Sequence, residues 1–319
     1  MNIFRMVLLL TGLTLCTITS AASERTLTLL SMNMWGAGAN DAKSIDQTVA
    51  VMRATKADII AAQETVPEPD PCTADVCRAF GESRARNIAK ALGFYYYDLP
   101  RNTANHWADA VFSRYPIVKE TPNGVGIEIN VNGAKVIAYS MNLDDGPYQP
   151  YQLLNIEYGD APFLKTAQQA IQAASETRGR ALQLLTADIK AESDAVAQFV
   201  MGDFNEPSFR DWTAKAAAIK RHPLAVVWPT TRGVEAQGFV DTFRTVFPDE
   251  IAKPGMTWTP RSKPTDKDNH HDRIDFIFAR AKGLKVLRAG IVGEKQTEAD
   301  LVVTPWPSDH RATMAIVRF

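Results

Sequence analysis

The chain predicts an α/β fold in which mixed β-sheets are covered by helices. Short apolar runs of strand length recur between residues 26 and 319, and segments of helical character separate them. Asn132-Gly133, flanked by residues 126–131 and 135–140, is the strongest short-range hairpin signal in the chain. A hairpin joins antiparallel strands, so hairpins interleaved with helices disfavour a purely parallel doubly wound sheet.

At the N-terminus, Arg5 precedes an apolar run over residues 7–18, and Thr19-Ser20-Ala21-Ala22 supplies small residues suited to cleavage. Residues 1–22 therefore read as a signal peptide, which places the mature protein in a secreted or periplasmic location. The run is too short to span a bilayer comfortably, an uncleaved N-terminal anchor being the alternative, and no later segment has the roughly 20 apolar residues that a span needs. Residues 23–319 carry no internal repeat, low-complexity tract or long linker and read as one domain.

The elements follow in order. Residues 26–30 form a first strand, and Ser44 with Gln47 makes a capping box that opens a helix through Lys56. Residues 57–62 read as a buried strand, residues 81–92 as a helix closed by Gly93, and residues 108–112 as a strand ending before Tyr115-Pro116. Beyond the hairpin, residues 163–190 have the spacing of one or two helices. Residues 197–201, 274–278, 284–291 and 313–319 complete the strands.

Composition is that of an ordinary globular protein, and the net charge of −1 gives no general basic surface for a polyanion. It does not exclude nucleic acid, because a local basic patch or a bound cation can supply the attraction. Of three cysteines, Cys16 leaves with the signal peptide. Cys72 and Cys77 are expected to form a loop disulfide in an oxidising compartment, with a metal site disfavoured because no histidine or second pair lies nearby.

Polar residues able to bind metal recur where predicted strands run out into loops: Asn33, Glu64, Asn142, Asp203 with Asn205, and Asp309 with His310. A rigid scaffold aims such loop residues at one point. Taken one at a time, an asparagine after a strand is an ordinary turn residue, and Ser308 an ordinary cap. Their joint occurrence in this order is what carries information.

Six segments in order resemble the endonuclease/exonuclease/phosphatase superfamily: Ser31-Met32-Asn33-Met34-Trp35, Ala62-Gln63-Glu64, Phe112-Ser113-Arg114-Tyr115-Pro116-Ile117, Met201-Gly202-Asp203-Phe204-Asn205, Arg273-Ile274-Asp275-Phe276-Ile277 and Ser308-Asp309-His310. They span essentially the whole mature chain. The resemblance implies a four-layered α/β sandwich, with two mixed sheets face to face and helices outside. It also implies a phosphoester hydrolase that uses metal-activated water.

Such chemistry needs a hard cation, because a phosphodiester repels nucleophiles and its alkoxide leaves poorly. Mg²⁺ or Mn²⁺ suits an oxygen-rich site better than Zn²⁺. Glu64 is the expected main metal ligand, with Asp309 and Asn33 completing the shell directly or through water. By resemblance, Asp203 orients or deprotonates the attacking water and Asn205 donates an amide N–H to the phosphate or the nucleophile. His310 contacts the phosphate or acts as a base, with Asp275 fixing its tautomer.

One position departs from the pattern. Where many relatives carry a second histidine, this chain has Asn142, which can bind a phosphate oxygen but cannot shuttle a proton at neutral pH. His106, His270 and His271 are candidates to compensate, although loop histidines are more often surface residues, and residues 144–151 read equally as a substrate-selecting loop or as a plain connection into the next helix. Asp241 also has a family counterpart, and its role reads as structural.

The expected protein is a monomeric, exported phosphodiesterase acting on a phosphoester, whether small-molecule, lipid or nucleic acid. A secreted nuclease acting on DNA or RNA is the nearest alternative, and a catalytically impaired binding protein on the same fold is another.

Overall fold

A computed structural model describes residues 24–67, 83–99 and 108–319. The expected signal peptide, the Cys72 and Cys77 pair and His106 lie outside the described residues. No described helix is long and apolar enough to cross a membrane.

In chain order the elements begin with β1 (Thr26–Asn33), α1 (Ile45–Thr55), β2 (Ile59–Gln63), α2 (Ala85–Leu92), β3 (Tyr95–Asp98), β4 (Ala110–Ser113) and β5 (Ile117–Glu120). They continue with β6 (Gly126–Val131), β7 (Ala134–Asn142), α3 (Gln149–Leu154), α4 (Ala167–Ala191), β8 (Ala197–Asp203), α5 (Ala214–Ala218) and α6 (Pro229–Ala236). The remainder are β9 (Val240–Asp241), α7 (Thr242–Val246), β10 (Asp275–Ala281), β11 (Lys285–Gly293), β12 (Leu301–Val302) and β13 (Ala312–Arg318).

Two mixed sheets result, a seven-stranded one in the order β12-β11-β13-β1-β2-β4-β3 and a six-stranded one in the order β5-β6-β7-β8-β10-β9. Side chains alternate across each strand, and that period of two builds the layers. Leu27 and Leu29 of β1 and Ile59 and Ala61 of β2 face Val136 and Ala138 of β7, Phe199 and Met201 of β8, and Ile277 of β10, forming the core between the sheets. The opposite rows, Leu30 and Met32 with Ile60 and Ala62, meet Val49 and Met52 of α1 and Ile88 of α2. On the other sheet, Ile137, Tyr139, Val200, Phe276 and Phe278 meet Ala181, Leu185 and Ile189 of α4 and Val234 of α6. The fold is the four-layered sandwich expected, with two sheets inside and helices outside.

Several local expectations changed. Ser44 caps α1, but its side chain accepts from the Asp46 amide rather than entering a reciprocal box with Gln47. The box forms instead at Thr166 and Gln169, where it opens α4 as a single helix of 25 residues. β3 and β5 have exposed, polar or aromatic faces and lie at sheet edges, so neither shows the apolar run by which a buried strand is recognised. The Asn132-Gly133 turn is as expected: Val131 pairs with Ala134, and both turn residues take positive φ, 52° and 84°.

The inner-face rows turn polar at one end of the sandwich. Ser31 and Asn33 continue the row of Leu27 and Leu29, Gln63 that of Ile59 and Ala61, Ser140 and Asn142 that of Val136 and Ala138, and Asp203 that of Phe199 and Met201. Asp275 begins β10 opposite Asp203, because those strands run antiparallel. The same pleat that builds the core thus points this polar set into the gap between the sheets.

Close approach of backbones is critical here. Gly202 sits opposite Met141 in the β7–β8 pairing with φ at 149°, and a Cβ on it would stand 2.0 Å from the Met141 carbonyl oxygen. Gly202→Ala should therefore cost more than the roughly 1–3 kcal/mol of ordinary overpacking, since backbone rather than a side chain must yield. Thermal unfolding followed by circular dichroism should show a clear drop in Tm, and an unchanged Tm would contradict this account.

Candidate active site

The site starts from Asn33, the last residue of β1. Its Nδ2 donates to Glu64 Oε1 at 2.8 Å and to Asp203 Oδ2 at 3.1 Å, so one amide joins carboxylates from both sheets. Its Oδ1 accepts from the Trp35 backbone N–H at 3.0 Å, which settles the orientation of the amide. Asn33 thus presents nitrogen to the carboxylates and turns its oxygen away. Of the two roles expected of Asn33, holding the ligand shell is the one its hydrogen bonds to both carboxylates fit.

Glu64 follows β2 with φ at 56°, Trp35 has φ at 48° and Asn205 has φ at 45°. Positive φ is uncommon for side chains of this size, and such residues concentrate at functional sites. Backbone hydrogen bonds hold the turn after β1 against the turn after β2: Met34 N–H donates to Gln63 O at 2.9 Å and Gly36 N–H to Glu64 O at 2.9 Å.

His310, just ahead of β13, lies between two carboxylates. Its Nδ1 is 3.0 Å from Asp275 Oδ2 and its Nε2 is 3.6 Å from Asp203 Oδ2. Burial works against the imidazolium, yet the charges of Asp275 and Asp203 hold it well above the usual histidine range. The Asp203 carboxyl is pushed up to about 7 by burial, against the pull of His310. The backbone is pinned as well, since the His310 N–H donates to Ser308 Oγ at 3.1 Å and Ser308 Oγ donates to Asn33 O at 2.7 Å.

Asn205 donates its backbone N–H to Asp203 Oδ1 at 2.9 Å and its Nδ2 to Leu143 O at 2.9 Å. One amide hydrogen remains beyond that second bond. Half-buried Asp309 has its carboxyl raised by burial, and its Oδ1 accepts no hydrogen bond from any described residue. A buried acceptor without a donor fits a cation. Glu64 and Asp309 each bring carboxylate oxygens, the donor type that suits a hard divalent ion.

The alternative pairing of Asp275 with Arg273 is not formed. Arg273 bonds Asp211 at 2.8 Å and Asp241 at 2.7 Å, which leaves Asp275 to His310 and makes Asp241 structural, as expected. Asn142 neighbours Asp203 in register and bonds the carboxyl of Asp109. Asp109 is a site residue that the sequence reading missed. It is buried, bonded by Ser140 Oγ at 3.1 Å, and raised well above the usual carboxylate range by burial. Its signal was available in its place two residues before Val111, on the same inward row as the core between the sheets.

The histidines proposed to compensate for Asn142 are engaged elsewhere among the described residues. His270 pairs with His222 at 3.0 Å, and His271 lies 2.9 Å from Ser262 Oγ. Of the two readings of residues 144–151, the connection into the next helix is the one seen, since α3 begins at Gln149. Tyr148 and Tyr151 are packed, and their hydroxyls bond Asp272 at 2.7 Å and Asn269 at 3.0 Å. They form a wall behind Trp258, whose ring lies 4.9 Å from that of His310.

A sequence model of the Endonuclease/Exonuclease/phosphatase family matches residues 30–310. The chain belongs to that family, whose members are hydrolases acting on phosphoesters and typically depend on divalent metal. A Caenorhabditis elegans protein described as uncharacterized protein F14F9.5 is 27% identical over 322 residues, covering 94% of each chain. An endonuclease/exonuclease/phosphatase from Beutenbergia cavernae is similar in structure with a TM-score of 0.53 at 18% identity, over 92% of this chain and 72% of that one. A 3′ phosphatase from Neisseria, solved with a product DNA hairpin, gives 0.53 at 14% identity over 91% of this chain and 98% of that one. At these identities the likeness is one of fold.

Because the Asp275 charge raises the His310 pKa, its attraction is fully present below the unfolded histidine pKa of about 6.5 and is lost as pH rises through the folded value. In metal-free Asp275→Asn protein, the ring should deprotonate at lower pH than in the parent. Imidazole resonances followed by NMR across pH check this, and identical titrations would rule out Asp275 as a cause.

Proposed function

We propose that this protein is an exported, divalent-metal-dependent phosphodiesterase that hydrolyses its substrate by in-line attack of water on phosphorus. The carrying observation is the junction at Asp203, where the Asn33 amide, the Asn205 backbone and the His310 ring converge on one buried carboxylate. Glu64 and Asp309 would hold Mg²⁺ or Mn²⁺, which when bound supplies charge neutralisation at the phosphate and acidifies water.

Asp203 accepts the proton of the attacking water. Its raised pKa suits that role near neutral pH, and bonds to both oxygens hold its carboxylate in place. His310, kept cationic by its two carboxylates, donates from Nε2 to a phosphoryl oxygen as negative charge develops there. Asp275 keeps Nδ1 protonated and the ring aimed. Asn205 offers its remaining amide hydrogen to the phosphate, and Asn142 does the same from β7. Trp258 closes one side of the site against water. The signal-like residues 1–22 support export, and the net charge of −1 favours a small or lipid phosphodiester over a nucleic acid.

Purified mature protein should hydrolyse bis-p-nitrophenyl phosphate with Mg²⁺ or Mn²⁺ and lose that activity with chelator. Parent turnover no greater than that of Asp203→Ala under every metal would sink the enzyme reading in favour of a binding protein. Release of inorganic phosphate from monoesters with diesters left intact would instead identify a phosphomonoesterase. A panel of DNA, RNA, sphingomyelin and small diesters then reads out the substrate class.

His310→Ala should reduce kcat by about a hundred- to ten-thousand-fold, the range of a positioned proton-transfer or charge-stabilising group. Steady-state kinetics at saturating metal measure it, and a loss confined to KM would remove His310 from the chemical step.

A further inference from the structure

A second set of convergent ligand atoms lies away from the catalytic carboxylates. His222 comes from the loop after α5, while His270 and Asp272 come from the segment that leads into β10. His222 Nδ1 is 3.0 Å from His270 Nε2, and Asp272 Oδ1 is 3.9 Å from each of those nitrogens. The donors come from two separate stretches of chain and meet in a largely buried place.

Each buried donor is held from behind. The His222 ring is 3% exposed and stacks on Trp212, with ring centroids 4.3 Å apart and planes at 13°. Trp212 Nε1 donates to Asp272 Oδ1 at 2.8 Å and Tyr148 Oη to Asp272 Oδ2 at 2.7 Å. Outer partners of this kind orient the ligands of metal sites. Of the arginines nearby, Arg244 bonds Asp211 at 2.5 Å, Arg273 bonds Asp211 and Asp241 at 2.8 and 2.7 Å, and Arg221 donates to the backbone oxygens of Glu250 and Ile251 at 2.7 and 3.3 Å.

The spacing is that of a coordination polyhedron. With bonds of about 2.0–2.1 Å, tetrahedral zinc places its donors about 3.3 Å apart, which the observed 3.0 and 3.9 Å bracket. At 3.9 Å Asp272 is too far from either ring for a hydrogen bond, yet close enough to share a cation with both. Two imidazoles and one carboxylate suit zinc-class ions better than Mg²⁺.

We propose that His222, His270 and Asp272 form a second metal site, selective for zinc-class ions and distinct from the carboxylate site of the phosphoester chemistry. Its role is to brace the start of β10. Asp272 lies three residues before Asp275 and bonds the Trp258 backbone at 3.0 and 3.1 Å, so a cation there ties the His222 loop to the strand that orients His310.

The test uses chelator-stripped, full mature protein titrated with Zn²⁺, with bound metal counted by elemental analysis and Tm recorded. The parent and Glu64→Gln should each hold a zinc equivalent that His270→Ala loses, and Zn²⁺ should raise Tm in the first two only. His270 is the least buried of the three, and His270→Gln provides a second variant if the alanine form is poorly folded by circular dichroism. In the parent, Co²⁺ should give the visible absorption of a tetrahedral site, and His222→Gln should abolish it. Equal zinc content in the parent and both His270 variants, or none in the parent at micromolar Zn²⁺, would overturn the site and leave a hydrogen bond between the two histidines. The readout is metal content and stability, so it stands or falls separately from the phosphodiesterase reading.

Discussion

The Asn33 amide is the constraint on which the rest of the site depends. It donates to Glu64 on its own sheet and to Asp203 on the facing sheet, and its oxygen is held by the backbone of the next turn. Burying several carboxylates within a few ångströms is costly unless donors or cations face them. Asn33 provides two of those donors, the Asn205 backbone a third and His310 a positive charge. The distance between the sheets at this end is therefore set by polar contacts as well as by side-chain packing.

The apolar layers make that arrangement rigid. Rows such as Leu27 and Leu29 facing Phe199 and Met201 hold the sheets together, while α1, α2, α4 and α6 cover their outer faces. At the polar end the alternation continues with changed chemistry. Asn33, Gln63, Asn142 and Asp203 sit where further leucines or valines would extend the core. The left-handed backbone of Trp35, Glu64 and Asn205 then turns the chain sharply beyond the strands. The His222 cluster lies behind this wall, tied to Trp258 through Asp272 and so to the face of His310.

Much of the scaffold was legible because its signals are local. Asn132-Gly133 marks a turn that needs two positive φ values, and the alternating inward rows of β1, β7 and β8 are visible as apolar runs. Other features had no local signal. Edge strands such as Tyr95–Asp98 lack an apolar face because solvent replaces a partner, and His222 is separated from His270 by 48 residues. Tyr148 and Tyr151 could be read as a substrate loop or as packing, and only their bonds to Asp272 and Asn269 decide for packing.

By itself the sequence determined the interleaving of strands and helices and which residues stand at the strand ends, because both follow from periodicity and residue type along a single stretch of chain; the four layers it implied only through its family resemblance. Only the tertiary structure decided which groups face one another: the nitrogen of Asn33 rather than its oxygen toward the carboxylates, Asp275 paired with His310 rather than Arg273, and Asp109 beneath Asn142. Those choices depend on the separation and register of two sheets whose contacts join residues far apart in the chain, as between Ser308 and Asn33, 275 positions apart. Long-range hydrogen bonding of buried groups sets them, and no neighbouring residue in the chain encodes it.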